Sequence, residues 1–230
     1  MKKPRVIGTA LFSVLCLLFF GFAAPAKADS ASVSFNTTVG GNAVAGTLLF
    51  TVSSAGTLTV TVTNTEANPT TVAQLISDLS FNVSGMTGAS LTSSSSTEVS
   101  ISSGGVASLG ATGSTGWTLS SSGPTLTLTA PLPGQLIIGP GGVSGYTNAN
   151  GSIAGNKPHN PFLNGSATFT LSVTGLTSVS QISNVMVSFG TTPGVNLSVT
   201  PTPTPEVPSL ILFGTGLIGL GAALRRRVVA

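Results

Sequence analysis

The sequence predicts an all-β protein: an antiparallel β-sandwich of jelly-roll-like kind, preceded by a signal peptide and followed by a transmembrane helix. Three observations lead there. Charged residues are 6% of the chain, against roughly 25% in an ordinary globular domain, while Ser and Thr together exceed a quarter of it. Apolar residues and hydroxyls alternate with period two in run after run. Gly, Pro, Asn and Ser clusters break those runs at fairly regular intervals. The composition excludes a coiled coil, a charged helical bundle and a disordered polyelectrolyte.

Residues 1–28 read as the signal peptide. Lys2, Lys3 and Arg5 precede an apolar run from Val6 to about Ala24, and Ala26-Lys27-Ala28 closes it. Small residues at Ala26 and Ala28 stand where a signal peptidase reads, so cleavage is expected after Ala28. Cys16, the only cysteine, lies inside the apolar run behind Leu15, where a lipoprotein signal needs a small residue. The mature chain then has no cysteine, which excludes disulfides, thiol catalysis and cysteine metal sites.

Residues 29–199 form the expected ectodomain. Val33-Ser34-Phe35, Leu58-Thr59-Val60-Thr61-Val62, Val99-Ser100-Ile101 and Leu126-Thr127-Leu128 each place apolar groups on one face. Phe169 to Val173, Val185 to Phe189 and Val195 to Val199 repeat the pattern. One helix is expected, over 71–79, where Val72, Leu75, Ile76 and Leu79 follow i, i+3, i+4, i+7 spacing after Pro69. Residues 93–96 and 102–122 read as hydroxyl- and glycine-rich loops. The stretch 139–165 is the longest without alternation and holds Tyr146, Lys157 and His159. Long structured loops on a sandwich carry function, so this loop is the expected binding surface.

Catalytic chemistry is narrowed by subtraction. Over 29–208 there is one base, Lys157, against five acids, a net charge of −4. Nucleic-acid binding needs clustered Lys and Arg and is excluded. With Asp29 at the mature terminus and Glu206 in the tail, Glu66, Asp78 and Glu98 remain as candidate carboxylates for hydrolysis. Their spacing does not single out a facing pair. His159 before Asn160-Pro161 reads as a turn residue and Trp117 as core. One histidine without cysteine argues against zinc, and no Asp-x-Asp-type cluster calls for calcium. No catalytic residue, metal or cofactor is expected. Thr-x-Thr runs at 57–63 and 125–129 invite an ice-binding reading, but no internal repeat accompanies them.

Residues 200–208 are a Pro/Thr linker, 209–224 an apolar helix and 225–230 a basic stub containing Arg225, Arg226 and Arg227. The apolar stretch 210–224 gives about 22 Å of helix, against ~30 Å of hydrocarbon. Snorkelling arginines and residues 207–209 extend it. The arginines place the stub in the cytoplasm and the ectodomain outside. Gly214, Gly216 and Gly219 spell a dinucleotide fingerprint, but no strand precedes them and no acid follows, so they read as small residues of a membrane helix.

Pro205-Glu206-Val207-Pro208-Ser209, a glycine-bearing apolar helix and an arginine cluster, in that order at the C-terminus, resemble the PEP-CTERM sorting signal of Gram-negative bacteria. Where the family pattern is Pro-Glu-Pro, Val207 separates Glu206 from Pro208. The resemblance covers residues 205–230. It implies an exosortase, a membrane-embedded transpeptidase that removes the tail near the motif, and association with exopolysaccharide or biofilm. The expectation is therefore a non-enzymatic surface or extracellular-matrix protein. It is exported across the inner membrane, briefly anchored there, then placed at the cell surface or in the matrix. A carbohydrate-binding module is the first alternative and a secreted hydrolase the second.

N-terminal sequencing of the exported protein is expected to begin at Asp29; residues upstream of Ala26 in that read would overturn the signal-peptide reading.

Overall fold

A computed structural model describes residues 29–192 and 195–204. The signal-peptidase positions Ala26 and Ala28, the motif residues Pro205, Glu206, Pro208 and Ser209, the apolar tail and Arg225, Arg226 and Arg227 lie outside the described residues. Among the described residues no helix is long and apolar enough to cross a membrane.

The chain opens as a meander. Strand β1 (Asp29–Val39) turns through Gly40-Gly41 into β2 (Asn42–Ser54), which turns into β3 (Thr57–Asn64). Val39 pairs with Asn42, so the first turn has two residues, both at positive φ (57° and 80°). Only glycine takes that mirror-image turn without strain, and its twist suits the strands it joins. A single 3-10 turn (Val72–Gln74) then leads into β4 (Ile76–Val83), followed by β5 (Gly88–Ile101), β6 (Ala107–Gly113), β7 (Thr118–Ser122) and β8 (Thr125–Thr129). Short β9 (Ile137–Ile138) precedes the long loop, and β10 (Phe162–Asn164) ends it. Next come β11 (Ser166–Thr174), a second 3-10 turn (Val179–Gln181), β12 (Ile182–Phe189), β13 (Asn196–Val199) and β14 (Thr202–Pro203).

The protein is all-β, with fourteen strands in one hydrogen-bonded network. One set runs β14-β1-β2-β3-β11-β5 and the other β13-β12-β4-β9-β10-β5, with β6 beside β5 and the β7–β8 hairpin beside β4. Strand β5 serves both sets: residues up to Ser95 pair with β11, while Glu98 and Val99 pair with β10. Pairing is antiparallel except between β9 and β10, which run parallel. The fully antiparallel expectation fails there because the connection 139–161 carries the chain back to its starting end, as a parallel neighbour requires.

Alternation places the core. In β3, Leu58, Val60 and Val62 are fully buried while the threonines between them stay half-exposed. Aromatic contacts bridge the two strand sets. Phe50 of β2 meets Phe81 of β4 with ring centroids 5.3 Å apart, and Phe35 of β1 meets Phe189 of β12 at 5.9 Å, both edge-on. Trp117 is buried, as expected, with its ring 5.1 Å from Phe169. Its indole N–H donates to the Gln135 carbonyl at 2.8 Å, so the aromatic is buried with its polar atom satisfied.

Three further expectations change. The helix over 71–79 is instead one 3-10 turn and the start of β4. Val72, Leu75, Ile76 and Leu79 fit helical spacing, but Leu79, Phe81 and Val83 are buried at period two between β12 and β8. Pairing on both edges decides for the strand. The hydroxyl-rich stretches 93–96 and 102–122 hold parts of β5, all of β6 and all of β7 rather than loops. Strand preference is weak and context-dependent, so neighbouring strands impose the extended form on serine. Lastly, β14 lies within the expected linker and pairs with β1, Thr202 against Ser32 and Pro203 against Ala31.

Phe169→Ala removes a fully buried ring and is expected to cost about 3–5 kcal/mol. Exposed Ser120→Ala is expected to stay within about 0.5 kcal/mol. Chemical denaturation of both variants reads the difference, and equal midpoints would contradict this placement of the core.

Candidate functional site

The loop between β9 and β10 has a core of its own. Tyr146 and Ile153 are buried with Leu75, Val99, Ile101, Leu136, Ile138 and Phe162. The Tyr146 hydroxyl donates to the Gly139 carbonyl at 2.8 Å, and its backbone N–H donates to Gly105 at 2.8 Å. A Cβ on Gly139 would collide with the Glu66 carbonyl, so the loop can leave β9 only through glycine. The loop expected to display Tyr146 therefore uses it as an anchor.

The remaining polar residues of the loop also hold its shape. Ser152 accepts the Val72 N–H on its hydroxyl at 2.9 Å. His159 Nδ1 lies 2.6 Å from the Ser152 carbonyl, an acceptor that only a ring N–H satisfies. The histidine is thereby committed to a turn, as expected. Asn160 accepts the Ile101 N–H at 2.7 Å and donates to the Asn156 carbonyl at 2.9 Å, and Gly155 N–H reaches the Ile101 carbonyl at 3.0 Å. The loop is stitched to the end of β5.

Where loop and β5–β6 hairpin meet, they enclose an open cleft of about 430 Å³ lined by Ser100, Ile101, Ser102, Ser103, Ser108, Gly155, Lys157 and Asn160. Lys157 is exposed and is the one cationic side chain among the described residues. Chemically the cleft offers hydroxyls, an amide and one ammonium: groups that bind, without a nucleophile held by a base.

The three carboxylates stand on separate elements. Glu66 follows β3, and its backbone N–H donates to Asn64 Oδ1 at 3.0 Å. Glu98 on β5 accepts from the Gln135 amide at 2.9 Å. Asp78 on β4 borders a second cavity, of about 210 Å³, with Ser77, Leu132, Ser188, Gly190, Thr191, Thr192 and Asn196. Burial holds its carboxyl above the usual range, and a hydrogen bond from Ser188 opposes that. Among the described residues no three His, Cys, Asp or Glu gather as metal ligands.

Sequence reasoning missed two glutamines. Gln74 Oε1 accepts from Thr70 N–H, Thr70 hydroxyl and Thr71 N–H at 2.7, 3.0 and 3.2 Å. Gln181 does the same for Thr177 N–H, Thr177 hydroxyl and Ser178 N–H at 2.7, 3.0 and 3.1 Å. Thr71-x-x-Gln74 and Ser178-x-x-Gln181 are capping boxes readable from spacing alone. Each launches a central strand, β4 or β12.

The chain matches no protein-family model, no curated protein and no solved structure.

A carboxyl whose folded-state pKa is raised favours folding most when protonated. Its contribution is present below the unfolded value of 3.8 and is lost as pH climbs through the raised folded value. Asp78→Asn removes that loss. Denaturation midpoints of the variant are therefore expected to gain on the wild type as pH rises from below 3.8 toward neutrality. A difference that stays constant with pH would refute it.

Proposed function

We propose that this is an exported, non-enzymatic surface or extracellular-matrix protein. A jelly-roll-like sandwich domain is delivered by the signal peptide and handled through its tail by an exosortase-like transpeptidase, in association with exopolysaccharide. One observation carries the reading: the order of Pro205-Glu206-Val207-Pro208-Ser209, apolar stretch and Arg225–Arg227, paired with an N-terminal export signal. The domain's geometry is compatible with it. Thr204 N–H donates to the Ser30 carbonyl at 2.8 Å, so the chain enters and leaves the domain on adjacent strands. The binding reading of the domain has its own support in the hydroxyl-lined cleft beside Lys157. A neutral or weakly acidic glycan is the ligand class such a surface suits, and a glycan array tests it.

Two lesions separate anchor from signal. Neutralising Arg225, Arg226 and Arg227 together is expected to weaken membrane retention, because they supply the charge that stops transfer. Glu206→Ala is expected to leave insertion intact yet block maturation in a host that carries the enzyme. Intact mass and fractionation read both. If the Glu206→Ala protein matures to wild-type mass, the tail is a plain membrane anchor.

A further inference from the structure

Strand β3 places Thr59, Thr61 and Thr63 on the face turned away from the core. No sequence repeat accompanies this run, yet strand pairing supplies one. Thr63 stands between Thr47 of β2 and Ser166 of β11, Thr61 between Leu49 and Thr168, and Thr59 between Thr51 and Thr170. Threonine fills seven of the nine positions of this grid. The one irregularity in these two pairings, between Val52 and Ser54, lies beyond the grid's end. Bulges kink a ladder and raise its twist, so a grid without one keeps its period.

The mesh has fixed dimensions. Neighbouring strands stand about 4.7–4.9 Å apart, and alternate residues along a strand about 6.8 Å apart. At its centre the hydroxyls of Thr61 and Thr168 lie 3.4 Å from one another. Threonine is stiff at χ1 because it branches at Cβ, so each hydroxyl and its methyl hold a set direction. Exposed positions elsewhere are left to the more mobile serine, as at Ser120, Ser121 and Ser122 of β7.

We propose that this face binds ice, with the oxygen mesh of a crystal surface as its partner. Water oxygens on a prism face of ice repeat on a rectangle whose sides are close to those two spacings. A hydroxyl donates and accepts hydrogen bonds as water does, and the methyl beside it gains by leaving the liquid. Groups already held in place lose little freedom on contact. This inference rests on the described domain alone, not on the tail.

Charge and chemistry select this occupant over others. Strands β2, β3 and β11 carry no charged residue, and a neutral lattice could not repay the desolvation of one. The outward face of the other strand set shows the contrast. Its rows are Ser188-Asp78-Thr129, Met186-Ser80-Thr127 and Ser183-Asn82-Thr125. A carboxylate, a thioether and an amide interrupt the hydroxyls there, and the β12–β4 register shifts twice. A protein partner would be gripped by Trp, Tyr or Arg, none of which stands in the grid. A short sugar needs a concave site, and neither cavity described above touches the grid. An uncharged, periodic surface fits what is left.

The test freezes a slowly growing ice hemisphere in a solution of the full chain and measures how much protein the ice takes up, beside an inert marker protein. Wild-type uptake is expected to exceed the marker's several-fold. Thr61→Tyr keeps a strand-favouring residue but raises a ring from the centre of the mesh, and is expected to bring uptake down to the marker's level. Leu49→Lys, at a more exposed position of the grid, sets a charge beside that centre and is expected to do the same. Thr127→Tyr, on the other strand set, is expected to keep wild-type uptake. Far-UV spectra verify that each variant is folded. An added tyrosine would strengthen a face made for glycan, so its direction separates the two occupants. Wild-type uptake no greater than the marker's, uptake unchanged in both grid variants, or an equal loss in Thr127→Tyr would each overturn the proposal. Exclusion from ice with retention on a crystalline polysaccharide would overturn it in favour of a solid glycan.

Discussion

Asn64 is the residue through which one strand set is tied to the other. It ends β3 and is almost fully buried. Its amide donates to the carbonyls of Gln74 and Ile137, both at 2.9 Å, and its oxygen accepts the Glu66 N–H at 3.0 Å. Gln74 in turn donates to the Ala43 carbonyl at 3.0 Å. Two side chains thus bind the start of β2, the end of β3, the turn before β4 and the start of β9. A buried amide left without a partner costs about 1–3 kcal/mol, so this knot tolerates one arrangement of the four segments. The position of the long loop follows from it, because the loop leaves β9 beside Asn64 through Gly139. The cleft at Lys157 and the turn at Val143 inherit their places from that exit.

Much of the fold was legible because burial and period coincide in β3, β8 and β11. Each of these strands offers an apolar residue at every second position and a hydroxyl between. Strand β4 was not legible from its first residues, since Val72, Leu75, Ile76 and Leu79 satisfy helical spacing as well as they begin a strand. What decides is pairing with β12 and β8, which is non-local information. The serine tracts failed for the opposite reason. Ser93 to Ser96 have no apolar partner to alternate with, and their extended form comes from β11, which pairs Ser93 to Ser95, and from β6, which pairs Ser96. The parallel β9–β10 pair was hidden in two-residue and three-residue strands, too short for any period to show.

The candidate site divides in the same way. That 139–165 is a loop was readable from glycine, proline and missing alternation. What it does with its aromatic was not, because a lone Tyr amid glycines carries no periodic cue. Its burial depends on the Gly139 carbonyl accepting its hydroxyl and on Ile153 and Phe162 arriving from elsewhere. The capping boxes were readable and were missed in favour of the helical pattern following the first of them. Cap spacing gives direct evidence of a turn at Gln74, whereas apolar spacing over eight residues serves two periods at once.

The outer strands receive different treatment: β1 is covered, while β6, β7 and β13 each pair on one side alone among the described residues. Strand β1 is closed by the chain's own β14. Strand β6 is left open, seven residues long and uncharged. A β-ribbon of this size is marginal alone in water, so β6 holds its extended form through its pairing with β5.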